Sequence, residues 1–323
     1  MNKKTKKILF VILPIAIGIG LIWYFLAQLS SKDKTDIISS FKSANYWWVL
    51  LSLIFGILGH LSRAYRWQFM LEPLGYKPKF ANSTMTVLIA YLVNLGIPRA
   101  GEIARATAIS KYENIPFEKA FGTIVAERVA DVIMLFSIIS VAFVLQADLI
   151  SSYIFKEGDS NKFTTIIFLI LLGALGFLAF KLLQKAQKGF LLKVKIFTNG
   201  LLEGVISIFK MKKKWAFIFH TIFIWVMYVL MFYAVTFALP ETTNLPFEAI
   251  IVGFVVGALS IAVTNGGLGT FPVFVASALI LYNVQENPAK AFGWIMWTAQ
   301  TLMIILFGGL SFFYLPIYNR NKS

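Results

Sequence analysis

The sequence has no cysteine, two histidines and few charges: Asp, Glu, Lys and Arg make up only 14% of its 323 residues. Without cysteine there are no disulfides, thiolate metal sites or cysteine nucleophiles. His60 and His220 lie far apart in sequence and read as packed polar residues inside helices, not as metal ligands. No serine-histidine-acid order, HExxH or DxD pattern accompanies them, so no catalytic residue, metal site or cofactor is expected. A soluble domain carries about 25% charged residues, and this composition excludes an ordinary water-soluble enzyme. Hydrophobic residues fill the gap, at 58% of the chain with a mean hydropathy of +0.75.

The charges that remain are mostly basic, for a formal net charge of +15. No aromatic RNA-binding box or arginine-rich tail accompanies them, so no nucleic-acid partner is implied. Lysines and arginines flanking apolar runs are what sets the orientation of membrane spans. A helix needs about 20 apolar residues to cross a bilayer, and the uncharged runs Ile8–Ser31, Ser43–Ser62, Phe80–Pro98, Val132–Ala147, Phe163–Phe180, Trp215–Pro240, Ala249–Gln285 and Ala291–Asn319 supply several candidates. The first follows Lys3, Lys4, Lys6 and Lys7 and is too long for a signal-peptide core, with no small-residue cleavage site after it. It reads as a retained anchor.

Topology follows from the basic clusters. The segment 181–214 holds nine lysines against one glutamate, Glu203, and belongs in the cytoplasm by the positive-inside rule. If Phe80–Pro98 crossed fully, that loop would emerge outside. A dip that returns on the same side restores it, and Asn94, Gly96 and Pro98 sit where a helix would otherwise continue. Ala249–Gln285 is 37 residues long, too long for one span, and is broken at Asn265-Gly266-Gly267-Leu268-Gly269. It reads as a second dip. Tyr46–Ser62 returns from outside and leaves Arg63 and Arg66 in a cytoplasmic loop. The scheme places nineteen basic residues inside and six outside.

The expected fold is an all-α polytopic membrane protein with about six full transmembrane helices and two re-entrant hairpins. It forms a single membrane domain, 1–323, with halves 1–150 and 160–318 joined across an external loop and the Lys-rich cytoplasmic loop 181–214 in the second. Three spans per half make the halves run in opposite directions. Inverted repeats with broken helices near the midplane are recurrent in secondary transporters.

Ionisable residues at membrane depth are costly and face cavities or partners. Arg99, Glu102 and Arg105 are spaced by three, which puts them roughly on one helix face. Glu127, Arg128 and Asp131 head the next span. The charges Lys111, Glu113, Glu118 and Lys119 read as structural interface pairs. Asn94, Asn265, Gly266, Gly267 and Gly269 complete the candidate substrate-binding set, because unwound backbone beside a cavity offers amides to an anionic group. The glycine run is no phosphate loop, since no Gly-Lys-Ser/Thr follows it. Trp47, Trp48, Trp294 and Trp297 read as interface markers.

The series Arg66-Trp67, Pro73 and Gly75, Asn94…Pro98-Arg99-x-Gly101-Glu102-x-x-Arg105, Ala126-Glu127-Arg128-Val129-x-Asp131 and Gly266-Gly267-Leu268-Gly269 resembles the lysylphosphatidylglycerol synthase transmembrane family. The resemblance covers nearly the whole chain. It implies the flippase-like domain of bacterial multiple-peptide-resistance proteins in its stand-alone form, without the soluble aminoacyltransferase domain. In that family the glycine motif has a proline before it and a glutamate shortly after; Asn265 and Pro272 stand there here. The expectation is a non-enzymatic lipid flippase of the bacterial cytoplasmic membrane with both termini cytoplasmic. Its partner is a phospholipid or other anionic or zwitterionic lipid, and a second copy of the chain is a further candidate partner. A membrane enzyme or subunit acting on lipid head groups, and a scaffold recruiting a partner through the lysine loop, are the alternatives.

Overall fold

A computed structural model describes residues 31–146, 211–264 and 266–320, with 181, 188, 192 and 208 as isolated positions. The expected first span, the external connection, the span from Phe163, most of the lysine loop and Asn265 lie outside the described residues. Among the described residues the regular structure is helical: α1 (Ser31–Ser43), α2 (Tyr46–Leu71), α3 (Phe80–Gly96), α4 (Ala100–Glu113), α5 (Phe117–Leu145), α6 (Lys214–Thr236), α7 (Phe247–Val263), α8 (Thr270–Ile280) and α9 (Glu286–Tyr318). Among them, four helical segments are long and apolar enough to cross a membrane: Tyr46–Leu74, Phe117–Leu145, Lys214–Thr236 and Glu286–Tyr318. Their outward side chains are apolar and exposed, among them Phe136 on α5 and Leu302 and Phe313 on α9. That distribution suits a hydrocarbon solvent. The chain divides into two compact units, Met1–Glu127 with Trp215–Ser323, and Arg128–Lys214.

The first unit contains one helix order twice: long, short, short, long, over α2–α5 and again over α6–α9, with α5 running on past Glu127. Each short pair is a hairpin with a sharp break. After α3, Ile97 is extended and Arg99 takes a left-handed conformation before α4 begins. After α7, Thr264 is extended and Gly269 takes a positive φ before α8 begins. Both breaks fall where Pro98 and the glycine run were expected to interrupt a helix.

Close packing explains the glycines inside helices. A Cβ at Gly101 would run into the carbonyl oxygen of Ala90 and lie 2.7 Å from Asn94 Cγ, so only glycine lets α4 fold back on α3. Gly253 accepts the Phe232 ring and Gly257 the Phe271 ring in the same manner. Small residues let helix backbones approach where lipid gives no hydrophobic drive between helices. The fully buried apolar side chains of this unit include Trp67, Leu71, Phe217, Ile224, Phe232, Val275, Leu279 and Phe292.

One boundary departs from expectation. The second span was expected to stop at Ser62, with Arg63 and Arg66 in a loop. Instead α2 continues through both to Leu71 and buries them at 2% and 0% exposure. Removing two arginines from the inside count leaves seventeen against six, so the orientation argument keeps its sign. Both side chains meet buried partners from other helices.

Candidate functional site

Those partners converge on Glu127. Helix α2 brings Arg63 and Arg66 one turn apart, α4 brings Arg105, and α5 supplies the carboxylate. Arg63 Nη1 lies 3.0 Å and Arg66 Nη2 2.9 Å from Glu127 Oε1, and Arg105 Nη1 lies 3.0 Å from Oε2. None of the four side chains is more than 3% exposed. Further contacts fix each guanidinium plane. Arg66 Nη1 donates to Thr221 Oγ1 of α6 at 2.9 Å and lies over the Phe217 ring at 5.2 Å. Arg105 lies over the Trp67 ring at 3.9 Å, close enough for a cation–π attraction. Trp67 Nε1 in turn donates to Thr123 Oγ1 at 2.8 Å. Three helices are thus tied through one carboxylate, and Arg66 adds α6 as a fourth. Arginine suits this place because its fork stays charged and directs several donors at once.

The three residues expected on one face of a helix separate. Pro98 and the left-handed Arg99 start α4 at Ala100, so Arg99 stands outside the helix as its N-cap. Steps of three residues also turn progressively around a helix of 3.6 residues per turn. As a result Arg99 is exposed, Glu102 half-buried and Arg105 buried. Asn94 closes the tip of this first hairpin: its Oδ1 accepts from Gly101 N at 2.7 Å and its Nδ2 donates to Glu102 Oε2 at 3.4 Å. Arg99, with φ of 60°, holds a backbone conformation unusual for a residue with a side chain, and such strain concentrates at functional sites.

The tip of the second hairpin carries three positive-φ glycines, Gly266, Gly267 and Gly269. Gly267 is locked besides, since a Cβ there would lie 2.8 Å from Phe271 Cβ. Thr264 and Thr270 hydroxyls meet at 2.8 Å across the break. Trp297 reaches the hairpin and donates from Nε1 to the Gly266 carbonyl at 2.9 Å. Trp47 is 79% exposed.

In the second unit, Arg128 and Asp131 form an i,i+3 pair at 3.3 Å. The structure therefore joins Arg105 with Glu127, Asn94 with Glu102 and Gly101, and Arg128 with Asp131, and it leaves Arg99 apart from Glu127. Sequence reasoning missed Arg63, Arg66, Trp67, Thr221 and Trp297. Two arginines at i,i+3 directly after the uncharged run Ser43–Ser62 were the available signal for the first pair. Glu113 behaves as a structural residue: its Oε1 accepts from Lys79 N and from Asn82 Nδ2, and Asn82 pairs with Asn319 at the end of α9. His60 and His220 are packed polar residues, bonded to Tyr228 and Ser62 respectively.

Residues 11–309 match the family described as the lysylphosphatidylglycerol synthase TM region. The chain belongs to that family. It is 26% identical over 295 residues to the UPF0104 membrane protein MJ1595 of Methanocaldococcus jannaschii, covering 83% of this chain and 84% of that protein. A shorter stretch of 113 residues is 28% identical to the glycosyltransferase AglD of Haloferax volcanii, covering 35% of this chain but only 18% of that one. No solved structure matches significantly. With its apolar helices, the family makes this a multi-pass membrane protein.

Proposed function

We propose that the protein moves a lipid with an anionic or zwitterionic head group between the leaflets of the cytoplasmic membrane. The observation that carries this reading is the pair of broken hairpins, each opening its second helix from a positive-φ residue, one tip bearing exposed Arg99 and the other a run of glycines. Both hairpins dip into the membrane from opposite sides and meet between two inverted halves, the arrangement transporters use to place unwound backbone beside a cavity. Arg99 takes the lipid phosphate by a charge-assisted hydrogen bond, Asn94 and Glu102 shape the same tip, and the amides of Gly266, Gly267 and Gly269 face the head group.

Arg105 and Glu127 play a different part. Three guanidiniums on one carboxylate hold the base of the first hairpin rigid.

A membrane enzyme acting on the head group is the second reading, supported by the short match to a glycosyltransferase. It needs a carboxylate ready to take a proton. Glu127 is engaged by three arginines and Asp131 by Arg128, which suits neither for that role. Native mass spectrometry of the purified protein tests the proposal. An intact anionic or zwitterionic lipid is expected to co-purify and to be lost in Arg99→Gln. A head group chemically altered on incubation would favour the enzyme.

A further inference from the structure

The two hairpin tips meet at Leu95. This residue, in the last turn of α3, fills the space that a side chain at 266 would need: a Cβ there would lie 2.6 Å from Leu95 Cδ2. The leucine is a knob set in a notch of bare backbone. Trp297 of α9 holds the notch from beneath through its 2.9 Å bond to the Gly266 carbonyl.

Each hairpin is fastened to α9 in a different way. Gly308 of α9 presses onto α3, where a Cβ would lie 2.8 Å from Leu92 Cβ and 2.9 Å from the Leu88 carbonyl. Gly293 of α9 presses onto α8, where a Cβ would lie 2.8 Å from Pro272 Cα. Asn82 and Asn319 exchange amide bonds at 3.0 and 2.8 Å, tying the start of α3 to the end of α9. Close glycine packing and paired amides hold the hairpins on α9, while an aliphatic side chain resting on a glycine joins one tip to the other. The tips are therefore where the two hairpins part from each other most readily. They also lie at the helix breaks, where a few torsions can change without unwinding a helix, as hinges require.

We propose that Leu95 and Gly266 form a latch closing the passage between the hairpins, which must part for a head group to cross. Trp297 is its positioning residue. The proposal rests on the lipid-transport reading above and adds where the path is closed.

The chain has no cysteine, so the pair Leu95→Cys and Gly266→Cys introduces its only two thiols. Within 4 Å of a Cβ at 266 lie only Leu95 Cδ2 and Cγ, so the Cβ pair is wider than a relaxed disulfide favours, and a short bifunctional methanethiosulfonate spans it. Treatment in reconstituted liposomes is expected to cross-link the pair within one chain and to slow lipid translocation about tenfold or more, with recovery under dithiothreitol. The single variants are expected to form no cross-link and to transport at their untreated rates. Absence of a cross-link, or undiminished transport by cross-linked protein, would overturn the latch alone. A wild-type protein that moves no lipid would overturn the transport reading instead. If Gly266→Cys prevents folding, Leu95→Ala serves: emptying the notch is expected to speed translocation severalfold at equal membrane abundance, and an unchanged or slower rate overturns the latch.

Discussion

Replacing Glu127 with glutamine removes one negative charge from the contact point of three buried guanidiniums. The carboxylate receives Arg63 and Arg66 on one oxygen and Arg105 on the other, all at 2.9–3.0 Å. Glutamine keeps one acceptor oxygen and turns an NH2 toward donors that need an acceptor. Removing one partner of a buried ion pair costs about 3–5 kcal/mol, because the remaining charge has no compensation. At about 2–4 °C per kcal/mol for a large domain, the midpoint of thermal unfolding in detergent should fall by roughly 10 °C. The identity of the partner is tested by a double-mutant cycle. Arg105→Gln combined with Glu127→Gln should cost less than the two losses added, with a coupling of about 1–3 kcal/mol. Arg99→Gln combined with Glu127→Gln should be additive, since Arg99 is the exposed cap of α4. A Glu127→Gln midpoint within about 2 °C of wild type, or coupling to Arg99 and not to Arg105, would refute the cluster as the anchor of the first hairpin.

Three further outcomes follow from the same geometry. Gly101→Ala should destabilise by about 1–3 kcal/mol through overpacking against the Ala90 carbonyl, whereas Gly122→Ala, with open space around its Cβ, should be neutral or stabilising by about 0.5–1 kcal/mol; thermal unfolding of the two variants side by side decides this. Cysteines placed at Ala186 and Gln187 should react only with reagents that enter the cytoplasm, and labelling from outside intact cells would reverse the topology. Gly267→Ala, at φ of 75° with Phe271 close by, should abolish lipid transport at equal membrane abundance, while wild-type transport would remove this glycine from the site.

The breaks were legible because proline and glycine act through the local backbone. Pro98 ends α3 and the run from Gly266 to Gly269 separates α7 from α8 wherever the rest of the chain lies. The span ending at Ser62 was misjudged for the opposite reason. Hydropathy counts Arg63 and Arg66 as costs, and only tertiary contact with Glu127 from α5 and Thr221 from α6 turns them into interior residues. Arg105 and Glu127 stood out in the sequence as charges beside apolar runs, and both are buried. Their being partners was not legible, since 22 residues and a turn separate them. Trp297 followed the same pattern: tryptophan favours membrane interfaces, and its bond to Gly266 depends on where α9 lies against a hairpin.

The central claim, that this protein carries lipid between leaflets, is tested most directly by translocation of a head-group-labelled anionic phospholipid in liposomes containing the purified protein, followed by loss of its signal to an impermeant quencher. The account predicts that wild-type protein exposes the inner-leaflet lipid to the quencher with its head group chemically unchanged, and that Arg99→Gln, folded and equally abundant, does so far more slowly. Inner-leaflet lipid that stays protected in wild-type liposomes, or transport by Arg99→Gln at the wild-type rate, would contradict it.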